Sequence, residues 1–168
     1  MRYGLLRSGL LLLLLTAISA CSGESEKSQP EKAVAIKAVA ILDEAERIDL
    51  YSLEPVPEKK PENTLRGWGI LGKVRLDDVK ARNQVLTALK ENVGRGTGAA
   101  CFWPRHALRA SLQGKTVDVL ICFECGWVYV YDEDREERTV VTIDRAARPV
   151  FDKILKAAGV ALGPGRGK

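Results

Sequence analysis

Between Cys101 and Tyr131 the chain repeats a two-residue alternation on either side of a turn, a pattern that an amphipathic helix does not reproduce. Leu108, Ala110 and Leu112 alternate with Arg109 and Ser111; Gln113-Gly114 turns the chain; Val117, Val119 and Ile121 alternate with Thr116 and Asp118. Period two around a glycine-containing turn predicts a β-hairpin. Trp127, Tyr129 and Tyr131 then alternate with Val128 and Val130, which predicts a further strand with one aromatic face. A hairpin folds its outer ends together, so Cys-Phe-Trp-Pro-Arg-His at 101–106 and Cys-Phe-Glu-Cys-Gly at 122–126 meet at one end of the sheet. Three of the four cysteines and the single histidine lie in these two stretches. Which face each side chain takes depends on register.

The flanking chain supplies the other elements. Ile48 to Leu53 predicts a strand, stopped by Pro55, Pro57 and Pro61 in a charged loop. Leu65 to Leu76 predicts a half-buried strand with Trp68, Ile70, Gly72, Val74 and Leu76 on one side. Asp77-Asp78 offers an N-cap, and Val79, Arg82, Val85, Leu86, Leu89 and Val93 follow at helical spacing up to Gly94, so residues 78–93 read as an amphipathic helix. The charged run Asp132 to Arg138 reads as a solvated turn before a strand at Thr139 to Ile143. Pro149, Val150, Phe151, Ile154, Leu155 and Ala158 define a second amphipathic helix ending near Gly159, and residues 163–168 read as a flexible tail. The expected fold is α+β: a mostly antiparallel sheet of five to six strands with two amphipathic helices on one face, forming a single domain over residues 47–162.

With 168 residues the chain can bury a core without cross-links, so its cysteines are not obligatory staples. Arg2 and Arg7 are the only charges before Cys21, and leaving them out lowers the formal net charge from +4 to +2. Lys and Arg interleave with Asp and Glu elsewhere. That balance argues against nucleic acid as a partner.

Arg2 and Arg7 precede an apolar run from Gly9 to Ala20 that includes Leu10 to Leu15 and ends in Ile18-Ser19-Ala20-Cys21. The run is short for a bilayer span, which takes about 20 apolar residues, and suits the apolar region of a secretory signal. In this order of basic region, apolar region and lipobox the sequence resembles bacterial lipoprotein precursors. The resemblance implies a signal peptide over residues 1–20, cleavage before Cys21, diacylglycerol on its sulfur, and an acyl chain such as palmitate on its freed amine. It also implies attachment to the membrane of the cell envelope through lipid on Cys21. Ser22, in place of an aspartate that would retain the protein at the inner membrane, favours the outer membrane in a Gram-negative source. Residues 21–46 then comprise the lipidated cysteine, a polar tether from Ser22 to Lys32, and an alanine-rich stretch compatible with a short helix.

The cysteine and histidine stretches admit three readings. Cys122-Phe-Glu-Cys125 lies between two strands, whereas a thioredoxin-like motif places its first cysteine at a helix N-terminus. Cys101, His106, Cys122 and Cys125 could complete a closed tetrahedral site for a structural metal such as zinc. Export favours oxidation instead, pairing Cys101 with Cys122 or with Cys125. The third reading is buried, inert thiols with a hydrogen-bonded His106. Sequence places no third group to orient His106 as a base, so a non-catalytic binding or envelope-associated module is expected. Arg105 and Arg109 are candidate contacts for a small anion or a partner's carboxylate. Over roughly residues 66 to 160, Cys-Phe-x-Pro-Arg-His followed by Cys-Phe-Glu-Cys also resembles a pattern in small uncharacterised bacterial proteins, a resemblance that implies no activity.

Overall fold

The computed structural model describes residues 39–56, 61–133 and 137–165. The leader, Cys21, Ser22 and the tether lie outside the described residues.

Seven strands form one antiparallel sheet, β1 (Arg47–Glu54), β2 (Thr64–Leu65), β3 (Trp68–Arg75), β4 (His106–Leu112), β5 (Lys115–Cys122), β6 (Trp127–Asp132) and β7 (Thr139–Thr142), in the order β2-β3-β1-β4-β5-β6-β7. The sheet bends into a half-barrel. Helical residues 39–44 (α1), α2 (Val79–Asn92) and α3 (Arg148–Ala157) contribute to one apolar core with Ile48, Leu50, Leu108, Val119, Ile121 and Val128. The fold is α+β, with seven strands among the described residues where five to six were expected and three helical segments among them where two were.

The added strand is the two-residue β2. Arg66 and Gly67 both have positive φ, 52° and 87°, which makes a tight turn whose twist matches its flanking strands and pairs Leu65 with Trp68. Gln113 and Gly114 repeat the geometry at 50° and 80°, closing the β4–β5 hairpin where the sequence puts it.

Strand β3 departs from the single-sided reading. Ser52 pairs with Gly72 but Leu53 pairs with Ile70, so Leu71 is an extra residue in a β-bulge. The bulge reverses the facing of everything beyond it. Trp68 and Ile70 pack with Leu53 and Leu120 on the sheet face away from the helices, while Val74 and Leu76 pack on the helix face. Gly72 is where Val160 closes on the sheet; a Cβ there would lie 2.8 Å from Val160 Cγ1.

The helices end where their caps dictate. Asp78 Oδ1 accepts from Ala81 N at 2.7 Å to start α2, which buries Val85, Leu86, Ala88 and Leu89. A 3-10 turn at Arg145–Ala147 leads into α3, with Pro149 in its first turn and Gly159 (φ 71°) just past its end. Phe151 and Leu155, one turn apart on α3, are fully buried. Each contributes about 1.5–3 kcal/mol by leaving water.

Both expected domain boundaries move outward. Val39, Leu42 and Ala45 belong to the core, and the Arg82 guanidinium donates to the carbonyls of Leu42, Asp43 and Ala45, satisfying the end of α1. At the other end Gly163 is buried against the Leu53 carbonyl and Arg105, and Arg105 Nε donates to the Pro164 carbonyl. Gly163 and the Pro164 carbonyl are therefore held against β1 and Arg105. Among the described residues no helix is long and apolar enough to cross a membrane.

Candidate functional site

The β4–β5 register settles which groups meet. His106 pairs with Ile121, and Ile121 belongs to the helix-side core, so His106 projects toward the helices. Cys122 is the next residue along and pairs with Trp127, on the opposite face. One residue of strand thus separates imidazole from sulfur by the thickness of the sheet. Among the described residues no group of three His, Cys, Asp or Glu is arranged to hold a metal ion.

His106 instead joins a network at the β4–α3 interface. Its Nε2 lies 2.7 Å from Asp152 Oδ1, and Arg148 Nε donates to Asp152 Oδ2 at 3.2 Å, one helical turn away. Burial alone would raise the Asp152 carboxyl. The hydrogen bond and charge of His106 and the Arg148 guanidinium outweigh it and hold the carboxyl below its ordinary range. Asp152 is therefore the acceptor, and His106 Nε2 carries the donated proton. The imidazole is 3% exposed and enclosed by Phe123 and Phe151, with ring centroids at 5.2 and 5.9 Å in edge-on contact. These partners orient and bury the ring, which suits a structural tie between sheet and helix.

Glu124 extends the network. Its carboxylate pairs with Arg105 at 2.8 Å and with Arg148 at 3.5 Å, and its carbonyl accepts from the Arg145 guanidinium at 2.7 Å. Arg105, 6% exposed, thus spends its fork on Glu124 and the Pro164 carbonyl. Arg109 donates twice to Asp118, at 2.6 and 2.8 Å. Both arginines expected to meet an external anion meet carboxylates of their own chain.

The three described cysteines lie in the loop before β4 and the β5–β6 connection. All are thiols in this structure, Cys101 half-buried and Cys122 and Cys125 each 1% exposed. The connection from β5 to β6 curls so that Cys125 N donates to Cys122 Sγ at 3.2 Å, with Gly126 in the left-handed region (φ 70°) to complete the turn. Burial pushes the Cys125 thiol up, and its own donation to Cys122 adds to this; hydrogen bonds from Cys101 and the Trp103 amide act the other way. Cys125 thus has a thiol neighbour in each of Cys122 and Cys101. Such an arrangement can exchange two thiols for one disulfide.

The open face beyond the sulfurs is aromatic and cationic. Phe102 stacks on Tyr129 with centroids 3.5 Å apart, and Trp68 meets Phe102 and Trp103 edge-on. Asp118, fully buried, accepts from Arg66 at 2.6 Å as well as from Arg109; Asp49 is ringed by Arg47, Lys73 and Arg75. Arg66, Lys73 and Arg138 lie over the rings of Tyr131, Tyr51 and Tyr129. On the helix side an open groove between α2 and α3 is lined by Val79, Asn83, Thr87, Glu91 and Lys153.

Sequence reading missed Asp152, Glu124, Asp118 and Arg66. Only the Arg148–Asp152 pair carried a local signal, its four-residue spacing on a helix.

No family model matches the chain, and no curated protein matches it. One solved structure found similar is a "Putative Lipoprotein from Clostridium perfringens", 13% identical, with a TM-score of 0.43 over 73% of this chain and 93% of that one.

Proposed function

We propose that this chain is a lipid-anchored, extracytoplasmic module of the cell envelope that works by binding and not by catalysis. The observation that carries the anchoring is the order at its head: Arg2 and Arg7, then Leu10 to Leu15, then Ile18-Ser19-Ala20-Cys21. Cleavage before Cys21 would leave a residue able to hold a diacylglycerol on sulfur and an acyl chain on nitrogen. Each buried methylene contributes about 0.8 kcal/mol, so three chains make the attachment effectively permanent where one would be reversible. Ser22 favours the outer membrane where the source has one.

The binding surface in this reading is the open sheet face. Each of its two buried carboxylates, Asp49 and Asp118, is met by more than one half-exposed cation, which leaves a positive excess beside Tyr51, Tyr129 and Tyr131. Such a face suits an anionic partner at the envelope. The alternative is a structural zinc or a thiol redox site built from Cys101, His106, Cys122 and Cys125. The separation of His106 from the sulfurs favours the thiol member of that pair.

The anchoring is tested by fractionating cells and weighing the amino-terminal peptide. Wild type should be membrane-bound, with a mass increment of three acyl chains on Cys21, and Cys21→Ser should lose both. An unmodified Cys21 in a soluble protein contradicts the proposal.

A further inference from the structure

We propose that Cys101 and Cys125 form a reversible disulfide that latches the loop 95–105 onto the open sheet face. Several close contacts seat the loop there before any bond forms. Ala99 N donates to the Cys125 carbonyl at 2.8 Å, and Trp127 Nε1 donates to the Ala99 carbonyl at 2.7 Å. A Cβ on Gly98 would overlap the Trp127 ring, and one on Gly126 would lie 2.5 Å from the Thr97 carbonyl. Backbone approach at both glycines thus fixes the loop against the β5–β6 connection, and Cys101 N donates to the Ala99 carbonyl at 2.7 Å, which holds Cys101 two residues from the backbone bond to Cys125.

Accessibility orders the chemistry. Cys101 is half-buried, whereas Cys122 and Cys125 are each 1% exposed, so an external oxidant reaches Cys101 first. That oxidant is the disulfide of an exported thiol oxidoreductase. The Cys101 thiolate attacks one of its sulfurs, forming a mixed disulfide and expelling one thiolate. The Cys125 thiolate then attacks the Cys101 sulfur and expels the second. Two electrons and two protons pass to the oxidant, one of its disulfides becomes two thiols, and Cys122 keeps its proton.

The latch would govern the face beneath it. The loop carries Phe102 onto Tyr129 and Trp103 onto Trp68. A covalent bond at Cys101 holds that aromatic cover down; the dithiol lets it lift and expose Trp68 and Tyr129. Regulation of binding rests on the proposed role of that face, but the bond itself does not.

Membrane-extracted full chain, equilibrated across a series of glutathione and glutathione disulfide mixtures, alkylated and digested, supplies the test. The expected product is a Cys101–Cys125 linked peptide with Cys122 alkylated, and at least tenfold slower amide hydrogen exchange over 96–105 after oxidation. Cys101→Ser should abolish the exchange difference. A Cys122–Cys125 bond, three alkylated thiols at every ratio, or sulfurs shielded until a chelator is added would each overturn the proposal. The same digest reports the mass at Cys21. An unmodified Cys21 beside an intact Cys101–Cys125 link would remove the anchoring reading and leave the latch standing.

Discussion

His106 Nε2 stands 2.7 Å from Asp152 Oδ1, so the only imidazole in the chain is bound to the helix layer while the Cys122 sulfur lies across the sheet. Sheet and α3 are joined by this contact, and it has a pH signature. Asp152 has its carboxyl depressed in the folded state, so its contribution is fully present above the ordinary carboxylate range and is lost as pH falls through that range to the folded value. Thermal melts should show wild type losing stability between about pH 5 and pH 2 more steeply than Asp152→Asn does. Parallel slopes would refute the role given to Asp152. At neutral pH Asp152→Asn should cost about 1–3 kcal/mol.

Arg109 neutralises a fully buried carboxylate through two hydrogen bonds, with Arg66 as a further partner of Asp118. Arg109→Met should therefore destabilise by about 3 kcal/mol, because it strands part of a buried charge. Adding Asp118→Leu removes the charge that was stranded. Urea midpoints should show the double variant recovering at least half of the loss, and a simple sum of two losses would contradict this account of the pair.

Gly98 and Gly114 are both loop glycines with different reasons for being glycine. A Cβ on Gly98 strikes the Trp127 ring, whereas Gly114 (φ 80°) has nothing within 4 Å of the position a Cβ would take. Gly98→Ala should cost about 1–3 kcal/mol through overpacking and shift the Trp127 fluorescence. Gly114→Ala should cost about 1–2 kcal/mol from left-handed strain alone, with the tryptophan signal unchanged.

Deleting residues 163–168 should lower the urea midpoint, since it removes Gly163 from beside the Leu53 carbonyl and takes the Pro164 carbonyl from Arg105. A loss of about 1–3 kcal/mol is expected for the buried guanidinium group left short of an acceptor. An unchanged midpoint would mean that this end does not hold the domain together.

Much of the sheet is written locally. Alternation around Gln113-Gly114 specifies the central hairpin, and Asp78 with Gly94 brackets α2, because turn chemistry and caps act over a few residues. Facing is another matter. The bulge at Leu71 is invisible in β3 itself, since it exists only against Ser52 and Leu53 of another strand. The two residues of β2 are too few to show a period. His106 and Cys122 each sit at a strand end, where one step of register decides the face, and the Asp152 that fixes His106 lies 46 residues downstream. Asp118 alternates with valines like a solvent-facing residue; its burial follows from Arg66 reaching across from the β2–β3 turn. The hairpin shows in the sequence that the two cysteine stretches share one end of the sheet, but not which face His106 takes.

Thiol titration with elemental analysis, run on wild type and His106→Asn side by side, bears most directly on the separation of imidazole from sulfur. The two proteins should show the same count of reactive thiols and the same oxidation midpoint in glutathione buffer, with His106→Asn differing only in a lower melting temperature. One equivalent of zinc in wild type that is lost in His106→Asn would contradict it, as would a tenfold change in thiol reactivity.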